Sequence, residues 1–427
     1  MKRRLRIALV NTFDGIGGAS RAAFRLHQGL LAAGHKSRVF VKQKRRRDES
    51  VVEVSEKESA VRAAALRRRK EKAFRNRPSG YEGFNEDSTP YGRSAFDFVT
   101  EVDIVNLHWV AQFLDYESFF SRGPDMPPVV WTLHDMNPFT GGCHYDDGCM
   151  RWRQGCGACP QLGSRNVRDL SRRVWRRKKS ILDRLPDQTL YIVALNRWMK
   201  DLIEKSPILG RFPVSIIPNG LDTDLFRPRD RKAARGILGI PQTARVVLFV
   251  ADSLEVRRKG MRFLLEALRG IRIPNLYLLT MGRGDPAPIE NCLGRNLGVI
   301  EDERLMSHVY SAADIFVLPS LQDNLPNTAI ESLSCGTPVL GFDVGGLPDI
   351  VRNEAVGRLV PAGDINLLRE GIKKSLNGRF SREKVSAACR RLALKEFSSA
   401  VQADRYIRLF RRALPSRAKK YRGRIHG

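Results

Sequence analysis

Short runs of β-branched and apolar residues alternate with helical patterns along the whole chain, and this alternation limits the fold more than any other feature. It is typical of parallel sheets whose strands are joined by crossover helices. In the first half, strands are predicted at residues 6–10, 38–41, 103–107 and 129–133. After Pro213 the alternation of strands and helices begins again, with strands predicted at 245–250, 276–281, 315–318 and 338–342. We therefore expect an α/β protein with two doubly wound sheets.

The chain length predicts two domains, because 427 residues exceed what one hydrophobic core usually supports. We place an N-terminal domain at residues 1–212 and a C-terminal domain at 213–397, followed by a helix and a basic tail at 398–427. The first domain contains a basic insertion at about 42–90, predicted to be a helix or a surface loop, and a cysteine-rich loop at 141–163.

The formal net charge of +28 is unevenly distributed. Residues 1–80 contain 22 Lys and Arg against 7 Asp and Glu, and residues 405–427 contain nine basic residues and no acid. Such fields attract polyanions, either nucleic acid or an anionic membrane surface, although a solvated basic face is the simpler alternative. The basic runs lack interleaved aromatic residues and any nucleic-acid-reading motif, so no nucleic-acid partner is expected.

One basic segment, residues 165–185, has apolar residues along one side. This pattern fits a helix lying on a membrane surface, and it equally fits a crossover helix packed on the first sheet. No apolar run reaches the roughly 20 residues of a membrane span, and the first apolar stretch stops at Asn11, short of a signal peptide core. We expect a cytoplasmic protein that binds peripherally to the inner face of the membrane.

The most specific stretch is ADIFVLPSLQDNLPNTAIESLSCGTPVLGFDVGGLPDIV, residues 313–351. A buried strand is predicted to end before a loop, and a helix is predicted to open near Asn327. Backbone N–H groups at such a helix start bind phosphate. Asp323 and Glu331 bracket this position and are placed to hold hydroxyl groups on either side of it. The alternative is an ordinary crossover helix with surface acids.

This stretch resembles the donor-binding motif of the retaining glycosyltransferases of family 4, in which an acidic pair precedes a small-Gly-Thr-Pro-Val strand. The resemblance extends over nearly the whole chain. It implies the GT-B fold: two Rossmann-like domains facing a cleft, with a C-terminal helix crossing back to the first. It also implies that Asp323 contacts the donor sugar at the catalytic centre and that Glu331 binds the ribose. The family usually has Glu at the first position, so the carboxylate of Asp323 is one methylene shorter and the preferred sugar is in question.

Other motifs of the family match in order. Lys259 corresponds to the lysine that neutralises the donor diphosphate. The family's usual arginine position holds Asp252 or Ser253, so Arg257 or Arg258 is expected to supply the second positive charge, and we place Arg258 in the donor site. The resemblance implies no metal cofactor for catalysis. The remaining donor-binding residues that it implies are Gly17, Gly18, Gly282, Asn324, Leu325 and Pro326.

Two histidines each follow a predicted strand of the first domain. His134 matches the family histidine that lies beneath the donor sugar, and His108 is predicted on the acceptor side. A buried structural role is the alternative for both. No carboxylate pair suited to double displacement is evident, and the resemblance implies a front-face mechanism in which the departing phosphate helps to deprotonate the acceptor.

Four cysteines lie within seventeen residues, and the last two have the C-x2-C spacing. Such a set can bind a tetrahedral zinc ion. The loop resembles an insertion in an exopolysaccharide-building subgroup of the family. We expect it to lack its own core, so a structural zinc is predicted; four reduced thiols or two disulfides are the alternatives. The predicted ligands are Cys143, Cys149, Cys156 and Cys159.

These features predict a glycosyltransferase that moves a sugar from a nucleotide-sugar donor to a lipid-linked glycan in bacterial exopolysaccharide or cell-envelope synthesis. A nucleotide-sugar epimerase of GT-B architecture, which needs no acceptor, is the alternative.

Overall fold

The computed structural model describes residues 3–15, 17–54, 60–123, 126–378 and 381–414. The chain divides into two compact units. The first unit comprises the described residues up to Leu195, then Met199–Ile217, and those from Gln402 onwards. The second unit comprises Asn196–Trp198 and Pro218–Val401. The last part of the predicted basic tail, residues 415–427, lies outside the described residues.

The first unit is built on a sheet of seven described strands, all parallel, in the order β3-β2-β1-β4-β5-β6-β7. The order reverses between β1 and β4, and ligands of doubly wound folds bind beyond the strand ends at such a point. The strands are β1 (Arg6–Phe13), β2 (Lys36–Gln43), β3 (Val51–Glu53), β4 (Ile104–Leu107), β5 (Val129–Leu133), β6 (Leu190–Ala194) and β7 (Val214–Ile216).

The second unit repeats this plan with six parallel strands among the described residues, in the order β10-β9-β8-β11-β12-β13. Here the order reverses between β8 and β11. The strands are β8 (Arg245–Ser253), β9 (Leu276–Arg283), β10 (Leu293–Asn296), β11 (Ile315–Leu318), β12 (Val339–Phe342) and β13 (Gly357–Val360).

Helices join the strands. Several begin at an aspartate that accepts a backbone N–H of the first turn, as Asp302 does for Arg304 and Asp364 for Leu367. The described helices are α1 (Gly17–Ala32), α2 (Ala60–Phe74), α3 (Tyr116–Phe120), α4 (Leu170–Asp183), α5 (Arg197–Glu204), α6 (Arg231–Ile237), α7 (Met261–Arg269), α8 (Glu303–Ala312), α9 (Asn327–Ser334), α10 (Leu347–Ile350), α11 (Ile365–Leu376), α12 (Arg382–Phe397) and α13 (Ser399–Ala413). Within the described part of the chain, no helix is both long and apolar enough to cross a membrane.

The predicted fold class, with a doubly wound parallel sheet in each half, is confirmed. The description of residues 42–90 as a helix or surface loop was incomplete, because β3 lies inside that segment and pairs with β2. The helix of the segment, α2, has no buried residue. The basic side chains of helix α4 are less exposed to solvent than the sequence suggested: Lys178 is fully buried, and Arg177 pairs with Asp87.

The last helix, α13, completes the core of the first unit. Ala403, Tyr406, Ile407, Leu409 and Phe410 are buried there against strand residues of the first sheet. The crossing of the C-terminal helix back to the first unit, implied by the resemblance, is therefore present. The core of the first unit depends on residues from both ends of the sequence.

Truncating a core residue of α13 should destabilise the first unit. Phe410 has no exposed surface, so Phe410→Ala should cost about 3–5 kcal/mol through lost burial and the cavity left behind. Urea unfolding followed by tryptophan fluorescence measures this, since four of the five tryptophans, at positions 109, 131, 152 and 175, belong to the first unit. The control is Arg408→Ala on the exposed face of the helix, which removes a surface ion pair with Asp404 and should cost under about 1 kcal/mol. Equal unfolding curves for the two variants would contradict the structural role of α13.

Candidate functional site

Two loops meet at the reversal of strand order in the second unit. One follows β8 and contains Arg258 and Lys259, and the other follows β11 and contains Asp323. Nζ of Lys259 lies 2.6 Å from Oδ2 of Asp323, and an Nη of Arg258 lies 3.5 Å from Oδ1. The backbone N–H of Leu321 also donates to the carbonyl of Arg258 over 2.8 Å. The three predicted charged residues therefore form one cluster.

Asp323 is a buried carboxylate that stays ionised because of its neighbours. Burial alone would raise its pKa, but the charges of Lys259 and Arg258, with hydrogen bonds from Lys259 and the backbone of Asn324, hold the pKa below its ordinary value. A buried charge without such partners is strongly unfavourable. The carboxylate therefore keeps the two cations at this edge of the sheet.

Two glycines allow the backbones of this region to approach closely. Gly260 has a φ of +75°, and a Cβ there would lie 1.8 Å from the carbonyl oxygen of Pro319. Gly345 has a φ of +56°, and a Cβ there would lie 1.8 Å from the carbonyl oxygen of Asp323. Neither position tolerates a side chain without movement of the loop that carries Asp323. Gly345 was not among the predicted site residues.

Hydrogen bonds from Asn196 hold the segment between Asp323 and α9 in place. Nδ2 of Asn196 donates to the carbonyl of Asn324 over 2.8 Å and to its Oδ1 over 2.7 Å. Leu325 is buried, and Pro326 precedes α9 without making a side-chain cap. The residue that precedes α9 therefore makes no side-chain cap, unlike the aspartates that precede other helices, and the N-terminus of a helix is a favourable place for an anion.

Glu331 lies on α9 with only 1% of its surface exposed. The hydroxyl of Tyr310, on α8, donates to Oε2 of Glu331 over 2.8 Å. Tyr310 is fully buried and fixes the carboxylate. Sequence reasoning missed it, because a tyrosine in an amphipathic helix has the signature of an ordinary core residue.

The predicted glycines lie at or next to the ends of helices and strands. Gly17 starts α1 immediately beyond β1 with a φ of +77°, and Gly18 follows it in the helix. Gly282 lies in β9, and its N–H donates to the carbonyl of Gly298 over 2.8 Å. Gly17 and Gly18 belong to the first unit and Gly282 to the second.

The structure brings His108 and His134 together in the first unit. Nδ1 of His108 lies 3.0 Å from Nε2 of His134, and the rings stack with centroids 5.2 Å apart. Burial lowers the pKa of His134 to about 4, and burial together with the nearby His134 lowers that of His108 well below its ordinary value. Both rings are therefore neutral at physiological pH. The sequence predicted a role for each histidine separately and did not predict the hydrogen bond between them.

A second buried pair follows directly in sequence. Nδ1 of His144 lies 2.5 Å from Oδ2 of Asp135, and the indole N–H of Trp109 donates to the same oxygen over 2.8 Å. Burial would raise the pKa of Asp135, but the charge and hydrogen bond of His144, with the bonds from Asn137 and Trp109, lower it. This pair ties the start of the cysteine-rich loop to the end of β5.

The cysteine-rich loop packs on a hydrophobic cluster that it shares with Phe84 and with helix α4. Cys143, Cys159 and Leu162 pack with Phe84 and Val174 in a separate hydrophobic cluster, and Trp152 is almost completely buried. All four thiols are free. Among the described residues, no group of three or more His, Cys, Asp or Glu side chains is arranged to hold a metal ion.

The backbone around two of these sulfurs is oriented towards them. Burial raises the pKa of Cys159 to about 11, and the N–H groups of Leu162 and Gln161 oppose that rise. Burial likewise raises the pKa of Cys149, which the N–H of Arg151 opposes. N–H groups that point at sulfur stabilise the thiolate form that zinc requires. The zinc site stays a prediction.

Two family models match the chain. Residues 16–225 match Glycosyltransferase Family 4, and residues 244–377 match the family of glycosyl transferases group 1. Among solved structures, sucrose-phosphate synthase from Thermosynechococcus elongatus is similar in fold, with a TM-score of 0.67, 20% identity, and coverage of 96% of this chain and 99% of that one. HepE of Anabaena in complex with UDP has a TM-score of 0.62 and 14% identity, covering 96% and 100%. The chain therefore has the GT-B fold, and a region that matches the Family 4 model is followed by a region that matches the group 1 model.

Two curated relatives align with part of the chain. Phosphatidyl-myo-inositol mannosyltransferase of Mycobacterium leprae is 29% identical over 214 residues, which is 48% of this chain and 54% of that protein. D-inositol 3-phosphate glycosyltransferase of Mycobacterium tuberculosis is 29% identical over 217 residues, or 47% and 44%. The chain spans about half the length of these curated relatives.

Metal analysis tests the zinc prediction. Purified protein should contain about one zinc per chain, and the double variant Cys156→Ser with Cys159→Ser should lose it, because serine is a poor zinc ligand. Cys292→Ser, outside the loop, is the matched control and should keep the metal. A metal-free preparation that is fully active and as stable as the metal-reconstituted protein would show that the four thiols need no ion.

Proposed function

We propose that the protein is a retaining glycosyltransferase that transfers a sugar from a nucleotide-sugar donor to a glycan acceptor. The observation that carries the proposal is the cluster of Arg258 and Lys259 with Asp323, which lies four residues before the start of α9. Two cations and one carboxylate leave a net positive charge at a helix N-terminus. A diphosphate is the part of a nucleotide sugar that such a position suits.

Donor binding would redistribute the contacts of this cluster. A diphosphate between Arg258 and Lys259 competes with Asp323 for both cations, because phosphate oxygens carry more charge than a single carboxylate. Asp323 then becomes available for sugar hydroxyl groups while it stays within the field of the two cations. On α9, Glu331 is fixed by Tyr310 and would accept hydrogen bonds from the nucleotide ribose. The HepE structures with UDP and with UDP-glucose support a nucleotide-sugar donor for this fold.

The chemistry is a single front-face displacement. The bond between the anomeric carbon and the diphosphate oxygen breaks, and the acceptor hydroxyl forms the new glycosidic bond on the same face. The hydroxyl proton passes to the departing diphosphate, so anomeric configuration is retained. Lys259, Arg258 and the start of α9 stabilise the charge that develops on the leaving group, which is where preorganised cations and dipoles contribute most.

A cavity of about 190 Å³ in the first unit suits an acceptor that is both anionic and apolar. Lys42, Arg67 and Lys70 outnumber Glu86 among the charged residues of its lining, while Phe74 and Phe84 supply aromatic surface. A lipid-linked glycan has both properties, in its phosphate and its lipid. We therefore propose a lipid-linked acceptor in exopolysaccharide or cell-envelope synthesis, taken from the inner face of the cytoplasmic membrane.

The exposed helix α2 is the best candidate for the membrane contact. None of its residues is buried, and Arg67, Arg68 and Lys70 follow one another closely on it. Because α2 also lines the cavity, attachment to anionic lipid and capture of a lipid-linked acceptor would involve the same helix.

Glu331 provides the sharpest test of donor binding. Glu331→Ala should lose at least about 2 kcal/mol of transition-state stabilisation, roughly thirtyfold in kcat/KM, because it removes a charged hydrogen-bond acceptor. Tyr310→Phe should cause a smaller loss, since the carboxylate remains but is less firmly held. Donors are screened by nucleotide release, and product analysis separates transfer from epimerisation. The control is Glu354→Ala, at an exposed position of the same unit. Wild-type donor turnover in Glu331→Ala would refute the ribose assignment.

Vesicle binding tests the membrane proposal. Changing Arg67, Arg68 and Lys70 together to Gln should weaken binding to anionic vesicles on the order of a hundredfold, because each basic residue near the surface contributes about 1 kcal/mol. The control changes three exposed cations of the second unit, Lys232, Arg245 and Lys374, to Gln. Wild-type binding should fall steeply with salt. Equal binding to neutral and anionic vesicles, independent of salt, would rule out electrostatic attachment.

A further inference from the structure

A row of buried hydrogen bonds runs from the end of β5 into the first sheet. It begins at His134, passes through His108 and reaches the side chain of Asn106 in β4. Nε2 of His134 lies 3.0 Å from Nδ1 of His108, and Nε2 of His108 lies 3.1 Å from Oδ1 of Asn106. Each link needs one donor and one acceptor, so the orientation of Asn106 determines where every proton in the row lies.

The orientation of Asn106 is set by a main-chain carbonyl. Its Nδ2 lies 3.0 Å from the carbonyl oxygen of Val130 and 3.1 Å from Oγ1 of Thr132. A carbonyl only accepts hydrogen bonds, so the amide nitrogen must face Val130 and Oδ1 must face His108. Nε2 of His108 therefore carries a hydrogen and donates it to Asn106.

The remaining protons follow because both rings are neutral. Burial and the neighbouring His134 keep the pKa of His108 well below its ordinary value, and burial lowers that of His134 to about 4, with Asp135 opposing the shift. Each ring then has one N–H at neutral pH. Since the hydrogen of His108 is on Nε2, its Nδ1 accepts, and Nε2 of His134 must be the donor. Nδ1 of His134 is left without a hydrogen.

We propose that Asn106 and His108 are positioning residues that hold His134 with Nδ1 as a hydrogen-bond acceptor for a sugar hydroxyl. A bare ring nitrogen accepts a hydrogen bond from a hydroxyl group. It repels ionised phosphate oxygens, because these too are only hydrogen-bond acceptors. His134 would therefore select the hydroxyl-bearing part of a substrate and not its diphosphate. The identity of the ligand as a sugar rests on the proposed function, whereas the tautomer follows from the first unit alone.

The row has a branch that reaches the last helix. Oγ1 of Thr132, which accepts from Asn106, lies 2.8 Å from the hydroxyl of Tyr406 on α13. Burial raises the pKa of this phenol well above its ordinary value, so it stays protonated. The branch supports Asn106 from a second side, but the carbonyl of Val130 is sufficient to orient the amide.

The tautomer can be observed directly. In protein labelled with 15N-histidine, protonated and bare ring nitrogens resonate far apart, and the His134 signals are identified by their absence in His134→Gln. At neutral pH we expect a protonated Nε2 and a bare Nδ1 for His134. A protonated Nδ1, or averaged signals from both tautomers, in the wild-type protein would overturn the proposal whatever the variants show.

Two near-isosteric variants separate positioning from packing. Asn106→Leu removes the amide that fixes His108, so the His134 signals should shift towards averaged tautomers and donor turnover should fall about tenfold. Thr132→Val removes only the branch, so the His134 tautomer should remain as in the wild type even if the thermal midpoint falls. An unchanged tautomer in folded Asn106→Leu would show that Asn106 does not set it.

Fluorinated substrates test the ligand, because fluorine accepts a hydrogen bond weakly but cannot donate one. With the donor of highest turnover, one monofluoro position in the donor or the acceptor should lose about tenfold in kcat/KM, and this loss should largely vanish in His134→Ala. Donor and acceptor analogues identify which sugar carries the hydroxyl. Equal losses in both proteins at every position would refute a hydroxyl ligand for His134. If no nucleotide sugar is turned over at all, the proposed function fails, while the NMR result still decides the tautomer.

Discussion

Every described strand of both sheets runs parallel to its neighbours, and the candidate site depends on this constraint. Parallel strands must be joined by crossover connections, so the carboxyl ends of all strands of one sheet lie along the same edge. Where the strand order reverses, the loops of two central strands become neighbours. Lys259 and Asp323, 64 positions apart in the sequence, meet at such a reversal, and the His108 and His134 loops follow adjacent strands in the first sheet.

The sequence predicted the elements whose pattern is local and strong. The predicted strands at 129–133 and 315–318 coincide with β5 and β11. It missed β3, β6, β7, β10 and β13. The strands β3 and β7 are each three residues long, and three residues show no periodicity, so their pairing is decided by the neighbouring strand. Edge strands of this kind are defined by tertiary structure and not by their own composition.

For the candidate site, the sequence predicted which residues carry charge but not how they pair. The ion pairs of Asp323 with Lys259 and Arg258, the contact of Tyr310 with Glu331 and the support of Asn324 by Asn196 all join distant parts of the chain. The sequence does contain one local signal that points to Asn106 as a further site residue. Asn106 is a polar residue in the middle of the short, fully buried strand β4, and a buried amide requires partners.

The return of the chain to the first unit also bears on how the protein is made. The second unit is contiguous from Pro218 to Val401 apart from three residues, so its sequence precedes the segment that returns to the first unit. The first unit, although its sheet emerges earlier from the ribosome, lacks Tyr406 and Phe410 until the second unit has been synthesised. Domains that fold as units usually do so from the N-terminus during synthesis. Here the half translated second is the first that can be fully assembled, and until α13 emerges the apolar surface that it covers must be kept from other chains.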